Sequence, residues 1–242
     1  MNLRLGSLLL LPALCLLGAV SHAPAPQAAS LAGAWQLEDA SGTQTVMVIS
    51  EGYYMAAAYS LADKRFLATW GGVYAVQPSG MLRETREFDT RDSTQVGNTS
   101  EWGLQQEAAR LTVRRDGRSE VWKRLDEAAG ALNGCWRITA RMDGEGKMQP
   151  IPYSPRRTLK LLTGTRFHWA AINVETKQFF GAGGGTYTFA NGTYTEQIEF
   201  FSRDASRVGA SLSFQGTVSG NEWTHSGLSS RGQPIQEVWT RQ

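Results

Sequence analysis

The residues of this chain best suited to acid–base chemistry are two histidines and a small set of carboxylates. His168 and His225 can each serve as acid, base or metal ligand near neutral pH. Glu196 and Glu199 stand three positions apart in the apolar run 194–201, so strand alternation sends them to opposite faces. Glu196 shares its face with Tyr194, Ile198 and Phe200 and is expected to point inward. An unpaired carboxylate in an apolar interior has a raised pKa, which suits a general acid; a buried bond or ion pair accounts for the residue equally well. The candidate catalytic set is therefore His168 and Glu196, with Tyr187 as hydrogen-bond donor.

Further candidates are ones for binding rather than reaction. Trp169, Tyr194, Phe200, Trp223 and His225 would line a pocket, and Gly183 and Gly184 would leave room beside Trp169. The glycine run 181–185 lacks the strand-then-helix setting of a phosphate loop, so in a strand it marks a bend, a bulge or a close approach. Phe167, Trp169 and Ala171 alternate with His168, Ala170 and Ile172, so His168 and Trp169 cannot both point inward. A zinc site would need a third ligand; Glu196, Glu199 and Glu237 are available but at no recognisable spacing, and neither metal nor cofactor is expected.

The elements that must position these groups are written twice. Leu31, Gly33, Trp35 and the closing Glu120, Val121, Trp122, Arg124 recur as Leu132, Gly134, Trp136 and Glu237, Val238, Trp239, Arg241. Inside each copy Gly71, Gly72, Glu84 and Glu87 are answered by Gly184, Gly185, Glu196 and Glu199. Within the second copy, runs rich in aromatic and β-branched residues alternate with turn signals such as Asn191-Gly192. They predict strands at 134–140, 158–162, 166–173, 178–189, 193–201, 209–217, 222–226 and 234–241. Helix is scarce, with one turn expected at 105–109. The fold class is all-β: two tandem antiparallel up-and-down barrels of about eight strands each, at 31–125 and 132–242, joined by a linker at 126–131.

Gly-x-Trp on a first strand and an arginine on the closing strand resemble the lipocalin-like, or calycin, barrels. Gly33, Trp35 and Arg124 match that pattern, as do Gly134, Trp136 and Arg241. The stretches 167–169 and 183–187 are similar to those of uncharacterised secreted bacterial proteins with lipocalin-like domains. The resemblance implies that each tryptophan packs across a barrel floor under its arginine. It carries no ligand.

A single cation at Arg4, an apolar run over 8–20 and Ser21-His22-Ala23 predict a signal peptide cleaved after Ala23, with a disordered leader at 24–30. The run is too short for a comfortable membrane span, and the expected location is the periplasm or the cell exterior. With 24 Lys plus Arg against 22 Asp plus Glu, of which Arg4 leaves with the signal, no nucleic-acid partner is implied. Only Cys135 survives processing, so an intrachain disulfide is excluded. The histidines and the extra loop 148–156 mark the second copy as the active one, the loop as a lid. The first expectation is a small, partly apolar ligand in the second barrel. A cofactor-independent enzyme using Glu196 and His168, or a protein-interaction module with exposed aromatic strands, are the alternatives. Ligand identity and oligomeric state are not encoded legibly.

Overall fold

The computed structural model describes residues 30–37 and 42–242; the expected signal peptide and all of the expected leader but Ser30 lie outside the described residues. Eight antiparallel strands close the first barrel: β1 (Gly33–Leu37), β2 (Gln44–Ser50), β3 (Tyr53–Ser60), β4 (Arg65–Val76), β5 (Leu82–Asp89), β6 (Thr99–Glu107), β7 (Arg110–Arg115) and β8 (Arg118–Glu127). The second barrel comprises β9 (Gly134–Met142), β11 (Arg156–Leu162), β12 (Arg166–Asn173), β13 (Gln178–Ala190), β14 (Thr193–Phe201), β15 (Ser211–Ser219), β16 (Glu222–Leu228) and β17 (Pro234–Arg241). It closes where β17 pairs with β9. A short strand, β10 (Met148–Pro150), pairs on the outer half of β9.

Three expectations need correction. Residues 105–107 continue β6 rather than forming a helical turn, because Gln105 and Gln106 pair with Thr112 and Leu111. β8 runs through Glu127, so Asp126 is not linker. Its carboxylate accepts from the backbone of Ala34 at 2.8 Å and of Thr165 at 2.7 Å, tying the two barrels together. The loop 148–156 is partly strand, paired along β9, and Arg137 donates to its Ser154 carbonyl at 3.2 Å, so it is fastened to β9 rather than free as a lid, with Ile151 on the cavity wall.

The matching tryptophans occupy the floors, as the resemblance implied. Trp35 and Trp136 are fully buried, and their indole N–H groups donate to the Leu31 and Leu132 carbonyls at 2.9 and 2.7 Å. Arg124 and Arg241 each lie 4.1 Å over the matching ring. Gly134 has φ of +138°, and a Cβ there would enter the space of the Arg241 guanidinium, so glycine in Gly-x-Trp is what lets the arginine reach its tryptophan.

A bulge on the retained glycine pair changes the pattern of faces. In β14 the register skips Glu199: Gly185 opposes Ile198, whereas Gly184 opposes Phe200. The first barrel skips Glu87 at Gly71 and Gly72 in the same way. Each bulge reverses the parity of the residues after it. Phe88 and Phe200 therefore leave their own barrels and enter a shared core between them, with Val48, Met55, Leu161 and Ala170. Charged bonds frame that core: Arg157 donates to Glu87, which also accepts from Tyr53, while Glu199 accepts from Tyr59 of the first barrel at 2.6 Å and Arg166 of the second at 2.5 Å.

Candidate functional site

The interiors of the two barrels differ. The first is filled; Tyr54, Trp102, Leu111 and Val113 leave about 10 Å³. A cavity of about 570 Å³ occupies the second. The ends of β9, β12, β14 and β16 and the starts of β11, β13, β15 and β17 lie at one end of this up-and-down barrel, opposite the Trp136 floor. That end is the open one. Aliphatic walls come from Ile138, Ile151, Ile198, Leu212 and Ile235, and aromatic ones from Phe167, Trp169, Phe214 and Trp239.

Two buried charge clusters stand in the cavity. Lys160 reaches from β11 to Glu196 on β14, with Nζ–Oε1 of 2.8 Å, and Tyr194 donates to the same oxygen at 2.8 Å. The ammonium also lies 5.1–5.8 Å from the ring centroids of Phe167, Tyr194, Trp223 and Trp239. Glu237 takes two bonds from Arg141 on one oxygen, at 2.9 and 2.6 Å. On the other it accepts from His225 at 2.9 Å and from the Trp239 indole at 3.1 Å. Burial works to raise the Glu237 pKa, but the His225 bond and the Arg141 and Lys160 charges outweigh it and hold the group at about 2. Burial lowers the pKa of His225, which as the neutral imidazole donates from Nε2; its Nδ1 is buried without a partner among the described residues.

Glu196 thus faces inward as read from alternation, and it arrives already paired. Trp169 and Gly184 line the cavity, as does His225. Gly183 leaves the space that the Trp169 ring fills, with a notional Cβ only 2.7 Å from the indole nitrogen. The first copy reverses this pair: Trp70 sits where Gly183 does, opposite Ala56. Tyr194 and Trp223 are completely buried beneath the cavity, in ring contact with each other at 5.0 Å. Tyr187 packs beside Tyr194 and donates to the Thr163 carbonyl at 2.5 Å, so its hydroxyl is engaged in the floor.

Two candidates fall elsewhere. Phe200 faces the other barrel because of the bulge at Glu199, and Phe201 lines the cavity in its place. His168 is 1% exposed and lies between the barrels, on the same face of β12 as Ala170 and Ile172. The Thr69 hydroxyl donates to the Ala56 carbonyl at 2.8 Å, so His168 Nε2–H donates to Thr69 Oγ1 at 3.1 Å. The structure therefore does not bring His168 to Glu196. Lys160 and the cavity arginines are the functional groups that alternation and duplication did not reveal; a lone lysine within the apolar run 159–162 was the available signal. Among the described residues, no three His, Cys, Asp or Glu side chains converge as a metal site, and no helix is long and apolar enough to cross a membrane.

No protein-family model matches the chain, and no curated protein matches it. Among solved structures, the chain is similar to a lipocalin-like protein from Bacteroides uniformis at 10% identity, with a TM-score of 0.34 over 47% of this chain and 100% of that chain. It also aligns with a Helicobacter pylori beta clamp bound to a DNA ligase peptide at 8% identity, with a TM-score of 0.15 over 89% of this chain and 58% of that chain.

Proposed function

We propose that the second barrel binds a small, partly apolar molecule and that the first barrel is a filled partner braced against it. The carrying observation is the contrast between cavities of about 570 and about 10 Å³ in two copies of one fold. The larger volume falls in the usual range for small-molecule sites, and its apolar walls with a few buried polar groups are the usual lining. The acid–base alternative would pass from His168 to His225 and Glu237. Both oxygens of Glu237 already accept two bonds, an arrangement suited to holding a charge in place. The interaction-module alternative calls for exposed aromatic strands; among the described residues the one strongly exposed aromatic is Tyr153, at 80%.

The test is titration with the neutral fluorophore N-phenyl-1-naphthylamine. One molecule is expected to bind per chain, and Ala171→Trp, which places an indole on the inward face of β12, is expected to abolish that binding while the fold survives. No binding, or binding indifferent to the substitution, overturns the reading. We also propose export to the periplasm or cell exterior, on the strength of the 8–20 apolar run and its small-residue exit. Mass spectrometry of the exported chain should find Pro24 first; retention of residues 1–23 overturns it.

A further inference from the structure

Seven cations line the cavity of the second barrel, and four of them have carboxylate partners. Arg141 pairs with Glu237, Lys160 with Glu196 and Arg207 with Asp204, which uses every carboxylate in the lining. Arg157 turns away to Glu87 of the first barrel. Arg156, Arg203 and Arg231 remain without a carboxylate among the described residues. They stand at the open end, on the start of β11 and on the loops after β14 and β16.

The duplication shows that this deficit is specific to the second copy. Asp92 and Asp204 cap equivalent short 3-10 turns, and an arginine precedes each. In the first barrel that arginine, Arg91, is bound by Asp89 at 2.8 and 3.1 Å and stacks 3.6 Å over Trp70. Phe201 takes the place of Asp89 in the second barrel. Arg203 is instead steered by a bond from its Nε to the Phe180 carbonyl at 2.8 Å, over the Trp169 ring at 5.6 Å. Gly181, where the first copy has Ala68, leaves the space that its guanidinium fills. Phe180 also sits beneath Arg156 at 4.7 Å. Burial, then the charges of Arg231 and Arg156, lower the Arg203 pKa, as expected of like charges gathered at one rim.

We propose that the ligand of the second barrel is an amphipathic anion, whose apolar body enters the cavity and whose carboxylate, sulfonate or phosphate is held at the mouth by Arg156, Arg203 and Arg231. This rests on the binding reading above and adds the charge of the ligand to it. Arginine donates in a planar fork that matches such oxyanions, and a bound anion relieves the mutual repulsion of the three cations. The aromatic rings beneath two of them keep the forks at the rim.

The experiment compares 1-anilinonaphthalene-8-sulfonate with N-phenyl-1-naphthylamine, which has the same skeleton without the sulfonate. The sulfonate is expected to bind about tenfold more tightly, with an advantage that shrinks as salt screens the exposed rim. Arg156→Gln, Arg203→Gln and Arg231→Gln combined should remove that advantage and leave the neutral fluorophore unchanged. Phe201→Asp, which restores the internal partner seen in the first copy, should weaken the sulfonate by a larger factor than the neutral fluorophore. Dodecanoate should displace the sulfonate where inorganic phosphate at the same concentration does not. Equal affinity for the two fluorophores, or arginine variants that weaken neither, overturns the anion assignment while leaving binding intact. Displacement by phosphate and not by dodecanoate overturns the amphiphile in favour of a free anion. Failure of both fluorophores to bind the wild-type chain overturns the binding reading itself.

Discussion

Replacing Lys160 with methionine, the residue at the matching position of the first barrel, is expected to cost about 3 to 5 kcal/mol of folding stability. Lys160 and Glu196 are 7% and 8% exposed at their side chains, so neither has water to fall back on when its partner is removed. The first barrel satisfies its own inward carboxylate by another route. Glu84 is held by Arg86 two residues along the same strand, together with Tyr54 and Ser100, and Met47 fills the position of Lys160. In the second barrel that arginine is Ile198, so the cation must cross the lumen from β11. Lys160→Met would leave Glu196 a buried anion in a ring of aromatic side chains. Lys160→Met with Glu196→Gln removes both charges and should recover most of the loss. Urea midpoints of the three proteins at neutral pH are the measurement. A single variant as stable as wild type would mean that the pair contributes nothing net.

The strand pattern was legible because alternation and turn chemistry are local. The stretches 166–173, 193–201 and 234–241 are strands to the residue, and the inward course of Glu196 follows from period two and its apolar neighbours; for 166–173 alternation says only that His168 and Trp169 face opposite ways, and the structure turns Phe167, Trp169 and Ala171 inward. Alternation fails where the backbone inserts a residue. The bulge at Glu199 carried Phe200 out of the barrel and brought Phe201 in, and only a cross-strand register reveals that. The retained glycine pair is its trace in the sequence, marking a bend, a bulge or a close approach without showing which faces it exchanges. Pairing across the lumen is likewise invisible to local pattern: Lys160 and Glu196 lie 36 residues apart on strands that are not neighbours. The unpaired arginines became informative only once the partner of each lining carboxylate was known. His168 looked reactive because its type allows it; the position of its counterpart, Met55, in the same inter-barrel core shows that an apolar side chain serves there too.

That equivalence makes acid the second strong test. The native pKa of His168 is pushed down to about 3 by burial, against an ordinary value of 6.5. As the pH falls below about 6.5 the unfolded chain takes up a proton that the folded chain refuses, so unfolding is increasingly favoured. The stability that neutral His168 allows is complete above that pH and is lost progressively down to about pH 3. The slope is about 1.4 kcal/mol per pH unit, or about 4 to 5 kcal/mol over the window. Among the other groups that act in the same direction are His225 and Glu237. His225 is also held neutral by burial, and Glu237, held at about 2, adds its own loss below about pH 4.5. Between about pH 5 and 6.5 the two histidines therefore dominate, and His168→Met should remove one proton's share of the slope. The Thr69 hydroxyl keeps its bond to Ala56 in that variant, so no polar group is stranded at neutral pH. The variant is expected to match wild type at about pH 7.5 and to be more stable at pH 5. Urea midpoints across that range decide it. Parallel profiles would show that protonating His168 costs the folded state nothing, and that the core between the barrels admits water or a counter-charge to meet it.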